Sequence, residues 1–467
     1  MAQNFLVCDR EQELLLPPSL SEWLPDDHLA WFVLAAVEEM DLAGFYAAYR
    51  RDGHGRAAHD PAMMVALLLY AYATERRSSR AIERACVDDV AVRVVAANQR
   101  PDQCTIARFR QRHEAALGGL FGEVLALCAD AGLVGVAVLA LDGTKLHANA
   151  SQHQNLDYDQ IARDILAEAG AVDQAEDERF GDRRGDELPP ELATAQGRRG
   201  WLREAKRRLD EKRAAEAKPI AKARAERLRE GKRRLAEDHD VHRRANEAYE
   251  AYRARGVMKD GRRFGKPPTP YRPPATPQGK VNISDPDSRN VKTPRGYMQG
   301  YNAQAVCNEN QIVVAAEINA DSADFGHLDP MVCAAERELA GAGIAEAPAV
   351  VVADAGYWHH DQMDAVASRG IQVLIPPDAG KRRGARPGWD GGRYAFMRRV
   401  LETDLGKQLY GKRQVTIEPV FANTKFNRRI DRFLRRGRSA CRSEWRLITA
   451  THNLRKLHRS QNALATA

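Results

Sequence analysis

Val134-Gly-Val-Ala-Val-Leu-Ala-Leu-Asp-Gly-Thr-Lys-Leu146 is the stretch that decides the fold. A short apolar run rich in Val and Leu, closed by an acidic residue and a glycine, reads as a buried central strand with Asp142 at its end. Ala349-Val-Val-Val-Ala-Asp-Ala-Gly-Tyr357 repeats the pattern and puts Asp354 at the end of a second such strand. Burying a carboxylate costs several kcal/mol unless a metal or a partner compensates. Carboxylates at the ends of neighbouring central strands can share divalent cations. Mg²⁺ prefers hard oxygen ligands, few of them carboxylates. Two such ions a few Å apart can activate an attacking oxygen and stabilise a leaving one in phosphoryl transfer. A third carboxylate is needed to hold both, and Glu418 offers it, set among Tyr410, Arg413 and Lys425. Taken singly, a strand-end Asp is more often a cap or turn residue, and exposed Glu is common. The three are joined by their order along the chain, on strand, strand and helix.

Around these strands, 296–307 and 311–318 read as a hairpin across Asn308-Glu-Asn310. Helices are expected over Asp329–Ala340 and Met363–Arg369, with a further strand at Gln372-Val-Leu-Ile-Pro. Residues 382–393 form a Gly- and Arg-rich loop, and the tail from Glu402 to about His458 is helical and basic. Upstream, residues 1–130 read as a helical N-terminal domain. Its short helices, polar turn at Pro101-Asp102 and Arg-rich helix from Thr105 fit a helix-turn-helix-like module. Arg108, Arg110 and Arg112 are its candidate DNA-reading residues, although a packing domain with a solvated basic face has the same pattern. Residues 151–280 break the strand pattern. The stretch 198–255 is dense in Ala, Glu, Lys and Arg with almost no aliphatic core, and Pro-rich 267–274 follows. This block reads as a charged helical insertion whose Arg and Lys are further candidates for DNA contact. It separates 131–150, the opening of a mixed α/β (or α+β) domain, from the remainder at 281–460.

The 467 residues carry a net charge of +7, with 44% hydrophobic and 29% charged residues, which describes a soluble globular chain of several domains. No apolar run approaches the roughly 20 residues of a membrane helix. Met1–Leu16 lacks the basic-then-apolar order of a signal peptide. A cytoplasmic, nucleoid-associated location is expected. The seven cysteines are scattered and form no C-x-x-C pair, so zinc-ribbon and thioredoxin-type readings fail. The basic balance favours a polyanionic partner.

Leu141-Asp-Gly-Thr-Lys145, Asp285-Pro-Asp-Ser, Gly296-Tyr-Met-Gln-Gly-Tyr-Asn-Ala-Gln304, Ala353-Asp-Ala-Gly-Tyr357 and the series Tyr410, Arg413, Glu418, Lys425 together resemble the DDE transposases of bacterial insertion sequences. His59-Asp-Pro61, Ser78-Ser-Arg-Ala-Ile82 and Pro101 with Thr105-Ile-Ala-Arg-Phe-Arg110 resemble their InsH-type N-terminal domain. The resemblance covers nearly the whole chain apart from the middle arm. It implies an RNase H-like catalytic domain, a central mixed sheet flanked by helices, and the triad Asp142, Asp354, Glu418. It also implies two Mg²⁺ ions (Mn²⁺ as a substitute) and double-stranded DNA, both terminal inverted repeats and target, as partner. The chain would work as a homodimer or higher oligomer assembled on DNA, with Tyr410, Arg413 and Lys425 along the bound strand's backbone. The family pattern sets its arginine four residues before the glutamate, but here the interval is five. On an ideal helix, five steps turn two side chains roughly 140° apart. Pro419 offers a resolution, because proline fits a first helical turn: either a helix begins just before Glu418 or one bends there. A metal-dependent nuclease that cuts without joining, an inactive DNA-binding relic and a helical scaffold are the rival readings.

Overall fold

The computed structural model describes residues 22–49, 58–180, 220–256, 274, 277–293, 296–377 and 392–465. The Pro-rich 267–273, the loop 382–391 and the stretch 198–219 lie outside these residues. The chain divides into two compact units: Met1–Ala148 with Gly300–Ala467, and Asn149–Gln299.

The first unit opens with helices α1 (Leu29–Glu38), α2 (Ala43–Tyr46), α3 (Pro61–Ala73), α4 (Ser79–Asp88), α5 (Val90–Val95), α6 (Gln103–Arg112) and α7 (Glu114–Asp130). Their starts are written in the sequence. Asp60 caps α3 by accepting from the Ala62 and Met63 amides, with Pro61 in the first turn, and Asp102 caps α6 through the Thr105 amide. α3 is buried on nearly every side, which its unbroken apolar run requires. These helices belong to the same unit as the sheet.

Strand β1 (Val138–His147) is followed, within the second unit, by β2 (Asn155–Leu156), α8 (Tyr158–Phe180), α9 (Ile220–Ala254), β3 (Val281–Asn282) and β4 (Arg289–Thr293). Strand β5 (Gly296–Asn308) leads back into the first unit, followed by β6 (Val313–Asn319), α10 (Leu328–Gly341), β7 (Val350–Ala353), α11 (His360–Ser368) and β8 (Gln372–Leu374). Helices α12 (Gly392–Glu402), α13 (Asp404–Thr416), α14 (Glu418–Ala422) and α15 (Arg438–Ala465) complete the chain, with a π-helical turn at Asn423–Asn427.

The sheet runs β6-β5-β1-β7-β8, with β4 as a sixth strand beside β5. β1 pairs antiparallel with β5 and parallel with β7, and β7 pairs parallel with β8. A three-strand antiparallel meander is thus extended by two strands parallel to its first. This is the RNase H-like arrangement, a mixed sheet flanked by helices. Helix α15 packs on α7, α3 and β6 and buries Trp445, Leu447, Ile448 and Leu454. The tail is therefore core as well as basic surface.

The second unit has a small core of its own. Ile161, Leu228, Leu235, Val281 and Ile283 are buried together, with Leu156, Tyr158 and Ile165 against them. Gly231 permits the close approach, since a Cβ there would lie 3.1 Å from Val281 Cγ1 and 3.3 Å from Ile161 Cδ1. The sparse aliphatics of α9 thus suffice for a seam. Its arginines pair with carboxylates: Arg224 with Asp164 and Glu168, Arg234 with Asp287, and Arg233 with Glu230 and Glu237.

Candidate active site

β1 and β7 run side by side through Leu141 and Ala353 and then part. Asp142 and Asp354 are the next residues on each strand, so the parallel register alone makes them neighbours. β1 does not end at Asp142, as its glycine suggested. It continues to His147 because β5 keeps pairing with it, Asp142 opposite Ala305 and His147 opposite Gly300. β7 does end, and Asp354 caps a short 3₁₀ turn by accepting from the Gly356 amide at 2.9 Å. Burial pushes the Asp142 carboxyl up to about 6, Arg413 pulling it down and Asp354 adding to the rise. Burial likewise raises Asp354.

Glu418 reaches this place through Arg413. The Arg413 guanidinium donates from Nη1 to Asp142 Oδ2 at 2.9 Å and from Nη2 to Glu418 Oε1 at 3.0 Å. The five-residue interval is absorbed because α13 stops at Thr416 and a new helix starts at Glu418, with Pro419 in its first turn. Arg413 is 15% exposed, Asp142 17% and Glu418 50%, so one partner is enclosed and the other faces solvent. Tyr410, a turn before Arg413 on α13, is half-buried beside it, and burial raises its hydroxyl.

A polar floor lies under Asp142. A Cβ on Gly143 would overlap the Gln304 amide and come within 2.6 Å of Asp324 Oδ1 and 2.7 Å of Asn302 Oδ1, so only glycine fits. Gln304 is held by the Tyr357 hydroxyl, which donates to its side-chain oxygen, and by the Trp445 indole, which donates to its carbonyl at 2.9 Å. Lys145 pairs with Asp324 at 3.2 Å. Asp324 had no signal in the sequence: it sits in the β6–α10 loop, in a run Asp321-Ser-Ala-Asp324 that reads as a solvated turn.

Lys425 lies in the π-helical turn, where burial and the nearby Lys145 lower its ammonium. π-turns are frequent at functional sites. The N-terminal trio separates. Arg108 and Arg112 are exposed, Arg112 over the Tyr49 ring at 5.6 Å. Arg110 is a correction to the expected DNA-reading set: it is 8% exposed and turned inward, donating to Tyr72 Oη at 3.2 Å, the Arg77 carbonyl at 2.8 Å and Ser79 Oγ. From there it cannot enter a groove. In the tail, Arg428 is buried against the Ile448 and Tyr72 carbonyls and Thr451, and Arg435 pairs with Glu114, so neither is a free phosphate ligand.

Among the described residues, no three His, Cys, Asp or Glu side chains are drawn together closely enough to hold a metal as they stand. Arg413 stands between Asp142 and Glu418 instead. The donor set still fits a divalent cation: every group is a hard carboxylate oxygen, and a cationic group already bridges two of them.

The fold and its carboxylates define an RNase H-like core whose acidic groups gather where the central parallel strands part. Residues 18–112 match a family model described as Transposase domain (DUF772), and residues 391–458 match one described as Transposase DDE domain. The two ends of the chain are thus similar to transposase domains, one of them a DDE domain, which is consistent with a DDE transposase of an insertion sequence. The C-terminal match contains Tyr410, Arg413, Glu418 and Lys425, and the N-terminal match contains Arg108, Arg110 and Arg112; Asp142 and Asp354 fall outside both. No curated protein and no solved structure matches the chain. Among the described residues, no helix is long and apolar enough to cross a membrane.

Proposed function

We propose that this transposase binds the terminal inverted repeats of its element, hydrolyses the phosphodiester at each end and joins the freed 3′-hydroxyl to target DNA. The observation that carries the reading is the adjacency of Asp142 and Asp354, with Glu418 tied to Asp142 through one guanidinium. Asp142, Asp354 and Glu418 would hold two Mg²⁺ ions, with Mn²⁺ as a substitute. When bound, such ions supply charge that stabilises the attacking and leaving oxygens of an in-line displacement. The chain's own residues do the rest. Tyr410, Arg413 and Lys425 grip the scissile strand's phosphates, Arg413 with a fork suited to paired phosphate oxygens. The Gly143 floor fixes the height of Asp142. Arg108 and Arg112, exposed on α6, reach base edges of the repeats. Residues 1–130 serve recognition, 131–150 and 281–460 catalysis, and 151–280 assembly, in a homodimer or larger complex on DNA within the cytoplasm.

The test is a cleavage and strand-transfer assay on terminal-repeat duplexes, with wild type and Asp142→Asn. Wild type should yield both cut ends and joined product in Mg²⁺, and the variant should bind the repeats but yield neither. Cutting without joining would favour a nuclease, and activity surviving in Asp142→Asn would overturn the site.

A further inference from the structure

We infer that Asp324 is a fourth carboxylate of the divalent-cation site, set against Asp354 across Gly356, with Lys145 as its resident counter-charge. The inference rests on the reading of the site given above and extends it. The Asp324 carboxylate is divided in its duties. Oδ1 accepts three hydrogen bonds, from Asn302 Nδ2 at 2.7 Å, Gln304 Nε2 at 2.7 Å and Lys145 Nζ at 3.2 Å. Oδ2 faces the other way. A Cβ placed on Gly356 would lie 2.9 Å from Asp354 Oδ1, 3.5 Å from Asp324 Cβ and 3.6 Å from Asp324 Oδ2, so both side chains border the space that this glycine leaves open.

A second observation points to a cation. Asn302 is fully buried, yet its side-chain oxygen has no hydrogen-bond partner. That oxygen crowds the Gly143 hollow beside Asp324 Oδ1. A buried amide oxygen left unpaired is costly, and its natural partner is a cation or a water bound to one. The charges agree. Among the described residues, Arg413 pairs with Asp142 and Glu418, and Lys145 with Asp324, so four carboxylates against two cations leave an excess of negative charge for a divalent ion to neutralise. Three side-chain donors converging on one oxygen fix the rotamer of Asp324, as expected of a group that orients a metal's surroundings.

Asp324→Asn separates charge from shape, since the amide oxygen can still accept from Lys145, Asn302 and Gln304. The readout is Mn²⁺ binding to the DNA-free chain, followed by the loss of the free-ion paramagnetic resonance signal, with Asp142→Asn as reference. We expect Asp324→Asn to weaken Mn²⁺ binding by at least about tenfold, within the range seen when metal-orienting groups are lost. If Asp142→Asn weakens binding and Asp324→Asn does not, Asp324 is a hydrogen-bond anchor only and the inference is overturned. If neither changes binding, the metal reading of the whole site falls. Lys145→Gln serves should the first variant fail to fold: removing the counter-charge should tighten Mn²⁺ binding several-fold, and unchanged or weaker binding overturns the inference.

Discussion

Arg413→Ala should destabilise the chain in a way that depends on pH and is reversed by Mg²⁺. Removing one partner of a buried ion pair costs about 3–5 kcal/mol, because the other charge is stranded. Two features of this pair reduce that figure. The Glu418 side is half exposed, and exposed pairs are worth about 0–1 kcal/mol. The Asp142 side can escape by taking up a proton, because its carboxyl already sits at about 6 even with Arg413 beside it. Without the guanidinium it rises further, each unit costing about 1.4 kcal/mol of ionisation in the folded state. The sign follows from linkage. A carboxyl raised in the folded state favours folding below its unfolded value and loses that advantage as pH climbs through the folded one. The variant's deficit should thus be about 2 kcal/mol near pH 8 and about 0.5 kcal/mol or less near pH 5, where Asp142 is protonated in both proteins. In wild type an incoming Mg²⁺ must displace the guanidinium from Asp142, whereas in the variant it has no competitor. Saturating Mg²⁺, at about 100 times its dissociation constant, adds about 2.7 kcal/mol to whichever form binds it, and the variant should gain more than wild type. Urea midpoints at the two pH values, in chelator and in Mg²⁺, measure all four combinations. A deficit equal at both pH values and untouched by Mg²⁺ would refute the counter-charge role of Arg413.

Gly143→Ala should cost about 1–3 kcal/mol, the usual range for overpacking, and lower cleavage more than DNA binding, because the new methyl group meets the Gln304 amide, Asp324 and Asn302 beneath Asp142. Thermal unfolding and single-turnover cleavage read the two effects, and a fully stable, fully active variant would show that the floor does not set the height of Asp142. The three arginines of α6 should divide. Arg110→Ala should lose about 2–4 kcal/mol of stability, because it strips partners from a buried network, without altering the preference for terminal-repeat over random DNA. Arg108→Ala and Arg112→Ala should leave stability within about 0.5 kcal/mol but reduce that preference by about 1–3 kcal/mol for each lost base contact. Competition binding decides it: if either exposed variant weakens both duplexes by the same factor, α6 does not read sequence.

What the sequence disclosed was what its local patterns carry. Two apolar runs ending in Asp gave adjacent strands, and the two aspartates were legible as a pair because β-strands translate sequence position directly into register. The hairpin across Asn308 was legible for the same reason. The continuation of β1 past Gly143 was not, because it depends on how far β5 follows it. Nor was Asp324, whose role comes from a loop folding over Gly143 and Gly356, two glycines that look like ordinary turn residues in isolation. The Arg413–Glu418 interval was legible as a conflict. Ideal helical geometry set the two side chains apart, Pro419 marked where a helix had to restart, and the restart at Glu418 brings both onto the same guanidinium bridge.

Basic residues show most clearly why charge counted along a sequence does not locate a polyanion surface. Arg110 and Arg428 each fall in an Arg-rich stretch outside the arm, and both are buried. Each stands where helices meet and adds a donor to the backbone carbonyls there. Arg110 satisfies the Arg77 carbonyl and Ser79 where α3 gives way to α4, and Arg428 satisfies Ile448 on α15 and Tyr72 on α3. A guanidinium, with five donors in a rigid fork and no acceptor, suits such a junction as well as it suits a phosphate. Arg428 also follows directly on the π-helical turn that carries Lys425, so the contact that anchors α15 to α3 fixes the end of the segment that carries Lys425 toward the site. Removing Arg428 would then displace Lys425 without removing any group that touches DNA. The DNA contacts proposed for this protein must therefore come from side chains that remain outside such junctions: Arg108 and Arg112 on α6 for base edges, and Arg429 and Arg432 beyond the π-turn, with Tyr410, Arg413 and Lys425 beside the carboxylates, for phosphates.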